Sequence, residues 1–162
     1  MQVHEKWKQL HTHHESKVPV YACAIKPDQK QLLAADGARL NIYDLKDGTI
    51  ITNPRKHRST IYAIAISTHD PYFATAGTDD VVIIWNSEQN KGIVKFSING
   101  SASCLTFSPV APNLLACAGT ELSIWHPTIK QVVPVTVPAK VLCAAWSPDG
   151  KSFAIGQLNG TV

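Results

Sequence analysis

Apolar residues along the chain come in short runs, each closed by a polar turn, and no stretch sustains the 3.6-residue period of an amphipathic helix. The run "VYACAI" is followed by "KPDQK", then "QLLAA", then "DGA", then "RLNIYD". Aliphatic and aromatic residues fill the runs, while Ser, Pro, Asp and Gly fill the turns. That pattern predicts short antiparallel strands joined by tight connections, an all-β chain.

The same order recurs over 20–44, 61–86, 102–126 and 141–162. The last apolar residue before the first turn is Ile25, Ile66, Phe107 and Trp146, at intervals of 41, 41 and 39. The aromatic closing the third run is Tyr43, Trp85 and Trp125, at intervals of 42 and 40. Between units, Thr49 to Lys56 and Gly92 to Ile98 each leave room for one more strand. A four-stranded antiparallel meander repeated every ~40 residues is the period of a β-propeller blade. The expected division is a tail or strand at 1–17, blades at 18–56, 57–98 and 99–137, and a truncated fourth blade at 138–162. One small sheet cannot bury both faces alone, so the blades must stack. Small residues at Ala34-Ala35, Ala74-Thr75-Ala76, Ala116-Cys117-Ala118 and Ala154-Ile155-Gly156 are what a second strand lying close to the axis would need, where blades crowd.

Candidate chemistry centres on "AGTDDVVIIW", where Asp79 and Asp80 precede an apolar run ending at Trp85. Paired carboxylates can do acid/base work, but neighbours in a strand or tight turn point apart, so convergence on one substrate is not expected. No phosphate-binding loop, serine-hydrolase elbow or zincin motif is present in the sequence. The cluster His11, His13 and His14 lacks nearby partners at ligand spacing and reads as a solvated segment, and Val3 to Leu10 alternates enough for a terminal strand. Neither a catalytic site, nor a metal site, nor a cofactor is expected.

Composition changes this picture little. The 162 residues suffice for a sizeable core, and the formal charge of +3, from 15 basic and 12 acidic residues, reads as spread out rather than gathered into a nucleic-acid-binding block. Cys23, Cys104, Cys117 and Cys143 form no C-x-x-C and each lies in an apolar run, which suggests free thiols packed as small hydrophobes in a reducing compartment. The polar amino end lacks a signal-like apolar region, and no run approaches the ~18 residues of a membrane span, so a soluble cytoplasmic chain is expected.

These repeats resemble WD40 propellers. The second matches best, with Lys56-His57 where that family has Gly-His, and Trp85-Asn86 where it has Trp-Asp. The resemblance implies a structural tetrad of His57, Thr75, Asp79 and Trp85, with Asp80 left as a solvated turn residue. In the first repeat Ala35 is aligned with the hydroxyl and Tyr43 with the tryptophan. In the third, Cys117 takes the hydroxyl position and the turn loses two residues together with its aspartate. In the fourth, Ile155 and Asn159 replace hydroxyl and acid. Beside the tetrad, Arg58, Thr60, Tyr62 and Thr78 fall where WD40 rings tend to meet partners.

Within that family, "YDLKDGT" after the first repeat and "FAIGQLNGTV" in the fourth are similar to the amino-terminal propeller of a subunit of intraflagellar transport complex A. That likeness implies a non-catalytic scaffold in retrograde ciliary transport and cilium assembly, at the cilium or flagellum, basal body and cytoplasm. Its partners would be other complex A subunits and ciliary membrane-protein cargo adaptors, with no nucleic acid and no membrane insertion. The alternative is a WD40 adaptor outside cilia, of the ubiquitin-ligase or chromatin kind. Most WD40 rings have seven blades, so the sequence is expected to be a piece of a longer chain whose open edges favour aggregation.

Overall fold

The computed structural model describes residues 17–128 and 132–162. The predicted terminal strand at Val3 to Leu10 and the cluster His11, His13 and His14 lie outside the described residues. Fourteen strands are described: β1 (Val20–Ile25), β2 (Gln31–Asp36), β3 (Arg39–Asp44), β4 (Ile50–Thr52), β5 (Ile61–Ile66), β6 (Tyr72–Gly77), β7 (Val81–Asn86), β8 (Lys91–Ser97), β9 (Ala102–Phe107), β10 (Leu114–Ala118), β11 (Glu121–Trp125), β12 (Val132–Thr136), β13 (Val141–Trp146) and β14 (Phe153–Gln157). They form three four-stranded antiparallel meanders, β1-β2-β3-β4, β5-β6-β7-β8 and β9-β10-β11-β12, and the pair β13-β14. The arc is open, as the sequence reading anticipates for an incomplete propeller.

The turns form where polar side chains can satisfy backbone amides. Ser67 Oγ accepts from the His69 and Asp70 amides, and Ser147 Oγ from the Ser152 amide. Asp47, Asp149 and Asn159 each accept an amide two residues on, the geometry by which Asx side chains close turns. The first strand of every sheet is interrupted by a bulge, at Val20/Cys23, at Ile61/Ala63, opposite Cys117/Ala118, and at Val141/Cys143. A bulge re-aims the residue it skips, and Tyr21, Tyr62 and Leu142 accordingly stand exposed near the start of their strands.

The apolar core lies between blades. One cluster joins Leu33, Ala35, Leu40 and Ile42 of the first sheet to Ile61, Phe73, Ile83 and Trp85 of the second. Another joins Ala74, Ala76, Val82 and Ile84 to Ala102, Leu105, Phe107, Leu114 and Trp125. A third packs Leu115, Cys117 and Leu122 against Val141 and the partly buried Trp146, Phe153 and Ile155. The second sheet therefore faces two ways, with Phe73 and Thr75 on one side of β6 and Ala74 and Ala76 on the other, as strict period-2 alternation requires.

The first strand is innermost and the second lies beside it. β1 packs on β5, β5 on β9 and β9 on β13, while β2, β6 and β10 run between the first and third strands of their own sheets. The small residues of the second strand let it lie beneath the first strand of the next blade, as β6 lies against β9.

Gly77 shows how close the backbones come. A Cβ built there would sit 2.1 Å from the Thr60 carbonyl oxygen, and that oxygen accepts from the Thr78 amide at 3.0 Å, so it cannot retreat without losing a bond. Replacing Gly77 by Ala should cost about 1–3 kcal/mol by forcing β5 and β6 apart. Urea unfolding monitored by tryptophan fluorescence measures this; an unchanged midpoint would show that the contact is soft.

Candidate functional site

The four tetrad residues come from four places: His57 from the loop before β5, Thr75 from β6, Asp79 from the β6–β7 turn and Trp85 from β7. Their side chains form one continuous polar chain. Trp85 Nε1 donates to Thr75 Oγ1 at 2.9 Å, and Thr75 Oγ1 lies 2.8 Å from His57 Nε2. His57 Nδ1 lies 2.9 and 3.0 Å from the two Asp79 oxygens, and the Arg58 amide donates to Asp79 Oδ2 at 2.9 Å.

Proton counting assigns the tautomer. Thr75 Oγ1 already accepts from the indole, so its one proton goes to His57 Nε2, and Nδ1–H of a neutral imidazole donates to the carboxylate. Every buried polar group is then satisfied once. The environment is dry: Thr75 is 0% and Trp85 1% exposed, while the His57 and Asp79 side chains are 1% and 5% exposed. Trp85 also stacks on Phe73, with centroids 5.6 Å apart and planes 5° from parallel. Burial alone would push the Asp79 carboxyl upward, but the Arg58 amide and the His57 imidazole outweigh it and hold the group below the ordinary carboxylate value.

Asp80 plays a different part. Its φ of 57° puts it in the left-handed region, at the last position of the three-residue turn Thr78-Asp79-Asp80. The first and third sheets turn with two residues, Gly37-Ala38 and Gly119-Thr120, and there glycine takes the positive φ. The two acids thus have separate tasks: Asp79 is hydrogen-bonded through both oxygens, and Asp80 supplies backbone conformation.

The strand register corrects the alignment of the other blades. Phe73 pairs with Trp85 and Thr75 with Ile83 in the second sheet; Leu114 pairs with Trp125 and Ala116 with Ser123 in the third; Leu32 pairs with Tyr43 in the first. The residues matching Thr75 are therefore Ala34 and Ala116. Ala35 and Cys117, which the sequence suggested, lie one residue on and so point to the opposite face. The same slip inflated the turn difference, since the third-blade turn is one residue shorter, not two. With Ala116 in place, Trp125 Nε1 is buried without any partner, whereas the matching Trp85 Nε1 is bonded.

The four partner-contact candidates are scattered in environment. Arg58 is exposed, Thr60 and Thr78 are half-buried, and Tyr62 is exposed and packs edge-on against Tyr21, with centroids 4.5 Å apart. Thr78 Oγ1 donates to Ser59 Oγ at 2.7 Å. Among the cysteines, Cys117 is buried and Cys104 half-buried, opposite each other on β10 and β9, but Cys23 and Cys143 are exposed, contrary to the expected burial of all four.

Sequence reasoning missed Lys26. It is 4% exposed, and its ammonium donates to Gln31 Oε1, to the Ser87 carbonyl and to Asn90 Oδ1, bridging the first and second sheets. The signal was available, because the matching turn position is Ser67, Ser108 and Ser147 in the other repeats and lysine only in the first.

Four outcomes follow from the polar chain and its missing counterpart in the third blade. Thr75→Val should cost about 1–3 kcal/mol, because it leaves the buried indole and imidazole without their shared partner. Asp79→Asn should be destabilising while Asp80→Gly is neutral or stabilising by up to ~1 kcal/mol, read from urea midpoints. Because the Asp79 carboxyl is held below its unfolded value, its contribution is complete above about pH 4 and is lost as pH falls through the folded value. Asp79→Asn should therefore flatten the acid limb of a stability–pH profile; parallel limbs would contradict the assignment. Ala116→Ser, which gives Trp125 an acceptor, should raise stability by about 0.5–1.5 kcal/mol.

Comparison with known proteins bears on the whole arc. The family model described as "IFT122 first beta-propeller" matches residues 19–162. The intraflagellar transport protein 122 homolog of Xenopus tropicalis is 35% identical over 153 residues, which is 94% of this chain and 13% of that protein. The Homo sapiens homolog is 34% identical over 139 residues, covering 86% of this chain and 11% of its own length. The chain thus spans about an eighth of the curated relatives it matches. Among solved structures, the RRP9 WD40 repeats superimpose with a TM-score of 0.75 over 82% of this chain and 43% of that one at 15% identity, a likeness of fold. A propeller arc with one complete tetrad, matched along nearly its whole length by that model, belongs to the family of the first β-propeller of intraflagellar transport protein 122.

Proposed function

We propose that the chain is part of a non-catalytic scaffold, a subunit of intraflagellar transport complex A that acts in retrograde ciliary transport and cilium assembly. The observation that carries this reading is the family match across 19–162. The chemistry of the rim is consistent with it. Asp79 engages both oxygens with His57 and the Arg58 amide, so the one buried carboxylate near the turn is held within the fold. Among the described residues no cluster of His, Cys, Asp and Glu is arranged to hold a metal ion.

The scaffold works by holding side chains still on a rigid surface. The tetrad ties the loop before β5 to the β6–β7 turn, so Arg58, Thr60 and Thr78 are displayed with little freedom, and Tyr62 is braced by Tyr21. Rigid presentation lowers the entropy lost on docking, and tyrosine contributes large contact area for few rotatable bonds. We assign these four residues to contacts with other complex A subunits and with membrane-protein cargo adaptors, at the cilium or flagellum, basal body and cytoplasm.

The test is complementation in ciliated cells lacking the endogenous protein, using the full chain with an affinity tag. Wild type should co-purify complex A subunits and restore cilia. Tyr62→Glu with Thr60→Lys should reduce co-purification at least tenfold while leaving the melting temperature unchanged. Recovery of ubiquitin-ligase or chromatin proteins in place of ciliary ones would favour the adaptor reading instead.

A further inference from the structure

The chain contains only three arginines, Arg39, Arg55 and Arg58, and all three stand at the same end of the strands. Arg39 opens β3, and Arg55 and Arg58 lie in the connection from β4 to β5. The Leu40 amide donates to the Pro54 carbonyl at 3.3 Å, which draws Arg39 and Arg55 together, and the Ile61 amide donates to the Gly37 carbonyl at 2.9 Å, which joins that connection to the β2–β3 turn. Lys17, Arg39 and Arg55 then line a single cleft of about 430 Å³ with Val18, Gly37, Ala38 and one carboxylate, that of Asp36. All three cations are exposed.

The basic residues are spread along the sequence without a nucleic-acid-binding block, and the fold gathers five of them, Lys17, Arg39, Arg55, Lys56 and Arg58, at one rim. In "RKHR", His57 turns inward to Asp79, and its neighbours Lys56 and Arg58 therefore face out. Of the acids at this end of the strands, Asp79 is spent on His57 and the Arg58 amide, Asp36 accepts from Asn41 Nδ2 at 3.4 Å, and Glu121, at the start of β11, accepts from Ser123 Oγ at 3.3 Å. Asp80 is exposed. None of Lys17, Arg39, Arg55, Lys56 or Arg58 has a carboxylate partner among the described residues. At the other end of the strands, the six acids Asp28, Asp44, Asp47, Asp70, Glu88 and Asp149 outnumber the five lysines Lys26, Lys30, Lys46, Lys91 and Lys151, so the surplus of cations lies on the arginine rim.

Arginine in place of lysine narrows the ligand. A guanidinium presents a planar fork that accepts a carboxylate bidentately, and two forks across a cleft with an apolar floor suit an extended peptide bearing several carboxylates. We propose that the rim of the first two blades binds an acidic segment of a partner protein, with Arg39 and Arg55 clamping its carboxylates in the cleft and Arg58 and Lys56 extending the track toward the second blade. This deepens the scaffold reading and rests on it, since it names the chemistry of one partner contact.

The probe is a fluorescein-labelled peptide of about twelve residues, rich in Glu and Asp with two Leu, titrated against the full chain and followed by anisotropy. Binding should be saturable at about 0.05 M salt and weaken as ionic strength rises and the screening length shortens. Arg39→Glu with Arg55→Glu should weaken it at least tenfold. Lys46→Glu with Lys151→Glu, an equal change of charge on exposed residues at the other end of the strands, should leave it within about twofold, with matched thermal melts for both variants.

Absence of saturable binding at low salt would overturn the proposal, as would equal losses in the two double variants. Tighter binding of an oligouridylate of the same length, lost in the arginine variant, would overturn it in favour of nucleic acid. Co-purification of complex A subunits from cells is scored separately. If it persists while the peptide fails to bind, the acidic-segment assignment falls and the scaffold reading stands; if the reverse is found, the scaffold reading falls alone.

Discussion

Everything in this arc depends on the fact that a four-stranded sheet is apolar on both faces and cannot cover either of them itself. The three apolar clusters are accordingly shared between successive blades, and the second sheet supplies residues to two of them. Strand alternation then does the sorting: Phe73, Thr75, Ile83 and Trp85 turn toward the first blade, and Ala74, Ala76, Val82 and Ile84 toward the third. Stacking of this kind is non-directional, so it gives stability without dictating how far one hairpin leans on the next. Direction comes from the polar chain through His57, Thr75, Asp79 and Trp85.

That chain also links the core to the surface. Its inner end is the indole stacked on Phe73, and its outer end is a carboxylate that accepts the Arg58 amide. Because His57 must turn inward to reach Asp79, its neighbours face outward, and a run of four basic-looking residues becomes a rim of three exposed cations. A second polar tie, Lys26 reaching Ser87 and Asn90, joins the first blade to the second at the opposite end. An ammonium buried among three neutral oxygens is costly to desolvate, and burial holds it below its ordinary value. Ser87 and Asn90 are thereby fixed relative to the turn that carries Lys26.

Much of this was legible in the residues. The recurrence of Ile25, Ile66, Phe107 and Trp146 gives the blade count, and the aromatic-closing third runs give strand order, because both recur at a fixed point of the blade; Phe107 is buried, Ile66 and Trp146 are half-buried, and Ile25 of the first blade is exposed. Alternation within the second strand was harder to read. "LLAADG", "FATAGT" and "LACAGT" are all small or apolar, so neither face is marked, and a slip of one residue placed Ala35 and Cys117 where Ala34 and Ala116 stand. Turn lengths resolve the ambiguity, since Gly37 and Gly119 close two-residue turns and Asp80 a three-residue one. The clamp at Lys26 and the meeting of Arg39 with Arg55 arise from contacts between residues far apart in sequence, which repeat periodicity does not encode.

The central claim is that the second blade, stacked on both faces and tied by the polar chain, is the most stable unit of the arc and the platform from which its surface residues are displayed. Native-state hydrogen exchange, resolved strand by strand, tests it most directly. The account predicts that amides of β6 and β7 exchange slowest and only through global unfolding, with β4 and β14 opening by local fluctuations. Slowest exchange in β10 and β11, with β6 and β7 opening first, would contradict it.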